Sequence, residues 1–443
     1  MSVYDLTQTV FLFSMVSNYA SSQKGTRQEL AQYLALAADK GGTWQPGGAA
    51  EPITVNGFLA HTGNQLIGQD WSMVWGPGIC ERTMVWKPGT LPRRTKTAQN
   101  AMLVFHSPSL NTYVVAIAGT NPHSAYDWIV EDGMVGGDRM AHFPVHTGPL
   151  GPQAITADPA LPQVSLGTAT GINNLIEHMY GVDGKKVSLA KFLEGLKGSP
   201  GARVIFTGHS LGGALSSTMA AQSMIYLRKN WVEQGGQVLV LPTAGPSPGN
   251  GTFATYWGKL FQPVHVDTNP HNKVHHLNVL CWDAQDVVPH AWDYILSPEP
   301  VSPPAYPNDK TPYFAYDISG LLKLEIQTQL GQLKNMPKPI PPSEGKSKVK
   351  LPWVAGLAAA LKMAQEMGRA GNMCRLPHSK GHVGTSPMTV WDSQTNAWGS
   401  YALPANNQFG SFKEFGIALG NIHVWQYHQF FGIDPKAIVR PIA

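Results

Sequence analysis

The sequence predicts an α/β fold with a mostly parallel central sheet, helices on both faces, and a long insertion of helices and proline-rich chain. After residue 100, short apolar runs alternate with longer helical patterns, an order typical of parallel strands joined by right-handed crossovers. Hydrophobic residues make up 43% of the 443 residues, which allows a large buried core. A proline-rich stretch interrupts the alternation after Pro289.

Composition limits the classes of partner. Charged residues are 14% and the formal net charge is +4, which gives no electrostatic footprint for nucleic acid. The three cysteines, Cys80, Cys281 and Cys374, match neither a zinc-site spacing nor a disulfide framework. No apolar stretch reaches the roughly 18 residues of a membrane span. We therefore expect a globular protein without a nucleic-acid partner or a transmembrane segment.

The N-terminus contains one short apolar run, at 11–16, that resembles the start of a helix. It has no basic residues before it, Asp5 precedes it, and Lys24 and Arg27 follow it, which is not the pattern of a signal peptide. The expected location is therefore the cytoplasm, or the outside of the cell by a non-classical route. Residues 1–100 are expected to form an extension that is helical at first and then consists of loops and short strands.

The rest of the chain is expected to complete a single domain over 1–443. Its elements are predicted as strands at 101–107, 111–119, 203–208, 237–245 and 273–282, and helices at 170–197 and 214–231. Residues 291–385 are interpreted as an insertion over this core. Two amphipathic helices within it, at 318–333 and 353–367, predict either a mobile lid or a structural cap over the site.

One motif points to chemistry. The G-x-S-x-G pattern at 208–212 follows a buried strand and precedes an alanine-rich helix, the context in which Ser210 would be pushed out on a sharp turn as a nucleophile. A second match at 245–249 centres on Ser247. Pro248 excludes it, because the residue after the nucleophile must donate its backbone N–H to an oxyanion and proline has none.

Several segments, in order along the chain, resemble the class 3 lipases, the family of the fungal triacylglycerol lipases. They read VVAIAGTNPHSAYDWIVED (114–132), VSLGTATGINNLI (164–176), TGHSLGGALSSTMAA (207–221), LPTAGPSPGNGTFATYW (241–257) and HHLNVLCWDAQDVVPHAW (275–292). The resemblance implies an α/β-hydrolase fold. The sequence departs from the family pattern at Ala118, Ser165, Thr168 and Ser247, where the family usually has Arg, His, Phe and Arg. These positions support the site rather than react.

A serine nucleophile needs a base and an acid that orients it, in the chain order Ser, Asp, His for this fold. Asp286 follows an apolar strand and precedes Val287-Val288-Pro289, and the resemblance points to the same residue. Asp283 is the nearest rival, and Asp293 is another. Either of these could instead cap a turn.

The base must follow the acid, and five histidines are available: His290, His378, His382, His423 and His428. The resemblance favours His423, because class 3 lipases place the base just before an aromatic helix start of this kind. His290 is expected at the rim of the cleft, and His428 is expected to pack inside the following helix. His378 and His382 lie in a Gly- and Lys-rich loop and are expected to be solvated.

Two backbone N–H groups are expected to form the oxyanion hole, one from Leu211 and one from Thr120 at the end of its strand. Thr120 could instead start a turn before Asn121-Pro122. The triad chemistry requires no cofactor. His271, His275 and His276 suggest a metal site, but His275 and His276 face opposite sides of a strand, so no metal is expected.

The expected function is a serine carboxylic ester hydrolase, a lipase or esterase, that cleaves lipid esters through an acyl-enzyme on Ser210. Its partners would be a lipid or ester substrate and a lipid–water interface. The alternatives are a phospholipase that acts as a bacterial toxin effector, and an acyltransferase with the same triad.

Overall fold

The structure is a computed structural model. It describes residues 4–47, 51–68, 70–85, 94–119, 139–179, 187–286, 288–290, 373–378, 382, 384–392, 395, 397–404, 409, 412–438 and 440–442. The helices predicted at 318–333 and 353–367 lie outside the described residues, so the lid or cap stays a prediction.

The described helices are α1 (Leu6–Ser17), α2 (Arg27–Ala38), α3 (Asn64–Leu66), α4 (Leu166–Glu177), α5 (Leu189–Gly195), α6 (Leu211–Leu227), α7 (Gly251–Leu260), α8 (Phe412–Asn421) and α9 (Tyr427–Phe430). A π-helical turn, Ile422–Gln426, joins α8 to α9. The described strands are β1 (Gly41–Trp44), β2 (Ile53–Asn56), β3 (Ser72–Val85), β4 (Arg94–Ser107), β5 (Thr112–Ile117), β6 (Met140–His142), β7 (Gln163–Ser165), β8 (Arg203–His209), β9 (Gln237–Thr243), β10 (Gly249–Asn250), β11 (Val264–His265), β12 (His276–Leu277), β13 (Met373–Cys374), β14 (Met388–Asp392) and β15 (Ala397–Tyr401).

The central sheet has the strand order β3-β4-β5-β8-β9. Strands β3, β4 and β5 pair antiparallel, whereas β5, β8 and β9 pair parallel. The sheet is therefore mixed over the described residues, and the expectation of a mostly parallel sheet is wrong in this respect. The reason is chain length. The stretch 86–93 between β3 and β4 is shorter than the dozen or so residues that a parallel crossover needs.

The first hundred residues contribute directly to this sheet. The strands β3 and β4 are 14 residues long each, so the expectation of loops and short strands is wrong there. The strands predicted at 101–107 and 111–119 are confirmed, and they pair antiparallel with Ser107 opposite Thr112. The strand predicted at 273–282 is reduced to β12, beyond which Cys281 pairs in parallel with Thr243 at the end of β9.

The alternation of side chains along the parallel strands places a hydrophobic cluster on each face of the sheet. On β5, Val114 and Ala116 join the cluster that α1 and α2 cover, while Val115 and Ile117 join the one that α4, α5 and α6 cover. The prediction of helices on both faces is therefore confirmed. Over the described residues, no helix is long and apolar enough to cross a membrane.

Helix α1 is buried in the core, where it packs against β5 and β8. It begins with a capping box between Asp5 and Gln8, and the Gln8 side chain donates to the carbonyl of Phe431 at 2.7 Å. Phe13 stacks on Phe105 of β4 with ring centroids 3.9 Å apart. The apolar run at the N-terminus thus forms the predicted helix, and this helix joins the two ends of the chain.

The part of the predicted insertion nearest its C-terminal boundary also contacts the core. Strand β13 pairs antiparallel with β10, and His378 forms a parallel bridge with Leu280. Four strands, β13-β10-β7-β6, make a second sheet. The described residues between 373 and 385 are therefore joined to the core, while the division of the chain into an extension and an insertion stays a prediction.

The packing of α1 predicts a large cost for removing Phe13. We expect Phe13→Ala to lower the free energy of unfolding by about 3–5 kcal/mol, because it leaves a cavity against Phe105 and Trp71. Denaturant unfolding measures the change. Leu150→Ala is the control, since Leu150 is 91% exposed and its loss should cost less than about 0.5 kcal/mol. Equal stability of the two variants would contradict the burial of α1.

Candidate active site

Ser210 lies on a sharp turn between β8 and α6. Its φ is 63° and its ψ is −132°, a conformation that costs a non-glycine residue of order 1–3 kcal/mol unless the surroundings enforce it. Here the Ser210 N–H donates to the Thr243 carbonyl at 3.0 Å, and the Ser210 carbonyl accepts from the Gly213 N–H at 2.8 Å. The turn is therefore held from the neighbouring strand and from the helix at once.

The glycines on either side of the serine are required by close backbone contacts. A Cβ atom on Gly208 would overlap the backbone of Gly212, and one on Gly212 would overlap the carbonyl oxygen of Ile117 at the end of β5. Both are contacts with main-chain atoms, which cannot rotate away as a side chain would. The G-x-S-x-G spacing is therefore a packing requirement at this turn.

Asp286 and His423 form a buried pair, although 137 residues separate them in sequence. The His423 Nδ1 and Asp286 Oδ2 atoms are 2.7 Å apart, and the side chains are 5% and 0% exposed. Asp286 also accepts from the Val288 N–H at 3.0 Å and from the Tyr427 hydroxyl at 2.9 Å. These three donors orient the carboxyl group toward the imidazole.

Because Nδ1 of His423 bonds to Asp286, the other ring nitrogen, Nε2, keeps a lone pair that can accept a proton. Because the Asp286 oxygen accepts from Nδ1–H, Nε2 is the basic nitrogen of the neutral ring. This buried Nε2 has no hydrogen-bond partner among the described residues. His423 lies in the π-helical turn Ile422–Gln426, an irregularity that occurs often at functional sites.

Asp283, the rival of Asp286, has a different environment. Its backbone N–H donates to the Tyr427 hydroxyl at 3.1 Å, and its Oδ1 accepts from the Gln285 N–H at 2.7 Å. Burial, together with the nearby Asp286, raises the pKa of Asp283 well above its ordinary value. Asp283 makes no contact with the imidazole in this arrangement, and Asp286 is the carboxyl group that does.

His209, immediately before the serine, connects the nucleophile turn to the histidine segment. Its Nε2 lies 2.7 Å from the carbonyl oxygen of His423, and its Nδ1 lies 3.0 Å from the Thr243 hydroxyl. Burial lowers the pKa of His209 well below its usual value, so the ring has one N–H. A carbonyl can only accept, so this proton is on Nε2 and is donated to the His423 carbonyl. The Thr243 hydroxyl lies between His209 Nδ1 and the Gly208 carbonyl oxygen, which is 3.3 Å away.

Of the two expected oxyanion donors, the structure describes Leu211 and not Thr120. Leu211 is the first residue of α6, so its N–H is at the helix N-terminus next to Ser210. Thr120 lies outside the described residues. The residue before it, Gly119, lies against the nucleophile: a Cβ atom there would be 2.5 Å from the His209 carbonyl oxygen and 3.1 Å from the Ser210 Cβ.

Two of the rival histidines are less solvated than the sequence suggested. His378 and His382 are half-buried and form bridges with Leu280 and Asp283, so the expectation of a solvated loop is wrong. Ring contacts explain the burial, because His378 packs on Trp282 and His382 stacks on Phe430.

The other candidates have different surroundings or lie outside the described residues. His428 is buried, with Nδ1 3.0 Å from the Val424 carbonyl oxygen and its ring against Phe11. Ser247 is also buried. Only the backbone of His290 is described, in the turn Val288–His290, and Asp293 lies outside the described residues. Over the part of the chain that is described, no group of three or more His, Cys, Asp or Glu residues could hold a metal ion.

The sequence reasoning missed two residues that the site uses. His209 lies within the motif itself, but its role depends on the distant His423 carbonyl. Tyr427 is four residues after His423, and both side chains reach Asp286. The i, i+4 spacing on a helical segment is the signal that could have found Tyr427, since such residues share one helix face.

Comparison with known proteins finds similarity to lipases. Residues 114–292 match the model of a family described as Lipase (class 3). The crystal structure of M37 lipase is similar to this chain at 21% sequence identity and a TM-score of 0.54, covering 97% of this chain and 93% of that one. Lipase II from Rhizopus niveus is similar at 18% identity and a TM-score of 0.30, over 50% of this chain and 60% of that one. The lipase from Rhizopus microsporus var. chinensis gives 18% identity and a TM-score of 0.29, over 50% and 56%. A search of curated proteins found no match.

The fold and the family match together define a hydrolase of the α/β-hydrolase fold. More particularly, residues 114–292 match the class 3 lipases, which confirms the resemblance seen in the motifs. This match supports a carboxylic ester hydrolase of the triacylglycerol lipase-like kind, a family whose substrates are lipid esters.

The buried His428 predicts a loss of stability in mild acid. Burial lowers its pKa from 6.5 to about 4, so between these values the unfolded chain binds a proton that the folded chain does not. The free energy of unfolding should therefore fall as the pH drops through this window. His428→Asn keeps a donor for the Val424 carbonyl but does not titrate, and we expect it to reduce the slope by up to about 1.4 kcal/mol per pH unit.

Urea unfolding between about pH 7.5 and about pH 4.5 measures this slope. The matched control is His142→Asn, because His142 is exposed. An unchanged slope in His428→Asn, or an equal change in His142→Asn, would contradict the assignment.

Proposed function

We propose that this chain hydrolyses lipid esters through an acyl-enzyme on Ser210, with His423 as the base and Asp286 as the acid that orients it. The observation that supports this most strongly is the buried pair of His423 and Asp286, joined at 2.7 Å, with the His423 Nε2 left as the basic nitrogen. His209 bonds to the His423 carbonyl and is adjacent to Ser210, so the pair lies beside the strained turn.

In the proposed reaction, the Ser210 hydroxyl attacks the ester carbonyl while its proton passes to the His423 Nε2. Asp286 stabilises the imidazolium that forms and keeps the ring in its orientation. The tetrahedral intermediate then collapses as His423 donates the same proton to the departing alcohol. Water, activated by His423 in turn, attacks the acyl-enzyme and releases the carboxylic acid. Every proton transfer uses this one imidazole, so the cycle requires no cofactor.

The negative charge of the tetrahedral intermediate develops next to the N-terminus of α6. The Leu211 N–H is one donor in the proposal, and the Thr120 N–H is the other. The unpaired N–H groups and the dipole of a helix both favour an anion at this end. Preorganised donors of this kind usually make the largest single contribution to acyl transfer, since they need no reorganisation when the charge appears.

Replacement of the nucleophile gives the first test of this proposal. We expect Ser210→Ala to abolish hydrolysis of p-nitrophenyl esters and labelling by a fluorophosphonate probe, because no other hydroxyl replaces the attacking oxygen. Ser247→Ala is the matched control, since Ser247 is buried and belongs to the rival motif, and it should retain most activity. Probe labelling of Ser210→Ala at the wild-type rate would exclude Ser210 as the nucleophile.

Replacement of the base gives the second test. His423→Ala should lower kcat on the order of 10⁴-fold or more, because members of a catalytic triad act as a unit. His428→Ala, five residues along the same helical segment, should act mainly through stability and leave kcat within about tenfold of wild type. Steady-state kinetics of the folded variants decide between them. If His428→Ala lost the activity and His423→Ala kept it, the base would be wrongly assigned.

A further inference from the structure

The side chain of Asn18, at the C-terminal end of α1, bonds to the backbone at the end of β5. Its Oδ1 accepts from the Gly119 N–H at 2.9 Å, and its Nδ2 donates to the Ser14 carbonyl at 2.7 Å. The two contacts specify the orientation of the amide, because a flipped group would place a donor against the Gly119 N–H. The helix thus uses one side chain to hold a peptide that lies 101 residues away.

Gly119 is the point where β5 leaves the sheet. The last residue of β5 in register with β8 is Ile117, opposite Gly208, and the next N–H, that of Ala118, donates to the Ala101 carbonyl at 2.9 Å. Beyond the end of β5, Gly119 is therefore the first residue whose N–H donates to a side chain. Gly119 also lies against Ser210, because a Cβ atom added to this glycine would be only 3.1 Å from the serine Cβ.

The occupied N–H limits which groups can bind an oxyanion. Because Asn18 accepts the Gly119 N–H, this group is not free to bind the substrate. The donor from this segment must then come from beyond Gly119, which agrees with the role proposed for Thr120. The bond from Asn18 holds the peptide between Ala118 and Gly119, which is the point from which the chain continues toward that donor.

We propose that Asn18 is a positioning residue for the oxyanion hole, acting through the Gly119 peptide. The proposal rests on the proposed function, because it presumes that the chain after Gly119 supplies an oxyanion donor. Asn18 lies outside the family-matched region 114–292, so the contact comes from the N-terminal helix of this chain. Helix α1 is itself held in place, because Gln8 bonds to the carbonyl of Phe431 and Phe13 stacks on Phe105. It can therefore fix the position of the Asn18 side chain.

The test compares Asn18→Leu and Asn18→Ser with Ser17→Ala. Leu removes both hydrogen bonds at similar volume, and Ser is too short to reach Gly119. Ser17→Ala is the matched control: the Ser17 hydroxyl donates to the same Ser14 carbonyl at 2.7 Å, at the same helix end, and its bond is not to Gly119. Each folded variant is measured for kcat and KM on p-nitrophenyl butyrate and for the Kd of butylboronic acid. The boronic acid forms an anionic tetrahedral adduct on a nucleophilic serine.

We expect both Asn18 variants to lose about 10- to 100-fold in kcat. Deleting an oxyanion donor removes all of its stabilisation of the transition state, and displacing the donor should remove part of it. The Kd of the boronic acid should rise by a similar factor, with KM within about threefold of wild type. The acid limb of the pH profile should not move, because the His423–Asp286 pair is untouched. Ser17→Ala should stay within about threefold of wild type in every measurement.

Three results would overturn the positioning role. One is an unchanged kcat in a folded Asn18 variant, the second is a fall in kcat without weaker boronic acid binding, and the third is an equal loss in Ser17→Ala. Ser210→Ala, measured alongside, separates this proposal from the proposed function. An inactive Ser210→Ala with normal Asn18 variants overturns the positioning role alone, whereas an active Ser210→Ala overturns the proposed function.

Discussion

The backbone contact between the nucleophile turn and the end of β5 is the constraint on which the rest of this site depends. Gly208, Gly212 and Ile117 approach so closely that no side chain fits between them. This contact requires β5 and β8 to be adjacent and parallel, with Ile117 opposite Gly208. Ser210 can keep its positive φ only because the three segments are already fixed. The alternating core on both faces of the sheet therefore stabilises the strained turn as well as the fold.

The polar groups buried behind the turn each have their own hydrogen-bond partners. Asp286 and Asp283 are both buried, but their side chains have different hydrogen-bond partners. Asp286 accepts three hydrogen bonds, whereas burial and the nearby Asp286 raise the pKa of Asp283 well above its ordinary value. Tyr427 links them, accepting from the Asp283 N–H and donating to Asp286. His209, whose pKa burial lowers well below its usual value, adds a hydrogen bond to the His423 backbone.

Local patterns in the sequence predicted those parts of the molecule that local physics decides. The strand before Ser210, the helix after it and the glycine spacing between them follow from short-range packing, and the structure has all three. Pairings between distant segments have no comparable signal. The long strands β3 and β4 were missed because residues 41–100 are rich in Gly, Pro and Trp, and their order comes from pairing with β5. The hydrogen bond between Asn18 and Gly119 was missed for the same reason, since a single Asn at a helix end most often indicates a cap.

The site also depends on segments that precede and follow the family-matched region 114–292. Residues 114–292 contain Ser210 and Asp286, but His423 comes from the C-terminal helical segment. Phe11 of α1 packs against His209 and His428 and stacks on Phe431 at 4.3 Å, so the N-terminal helix supports the segment that holds His423. Removing α1 would expose this aromatic cluster and would also free the Gly119 peptide. The first helix is therefore part of the architecture of the site, because it holds two of the segments that must meet at Ser210.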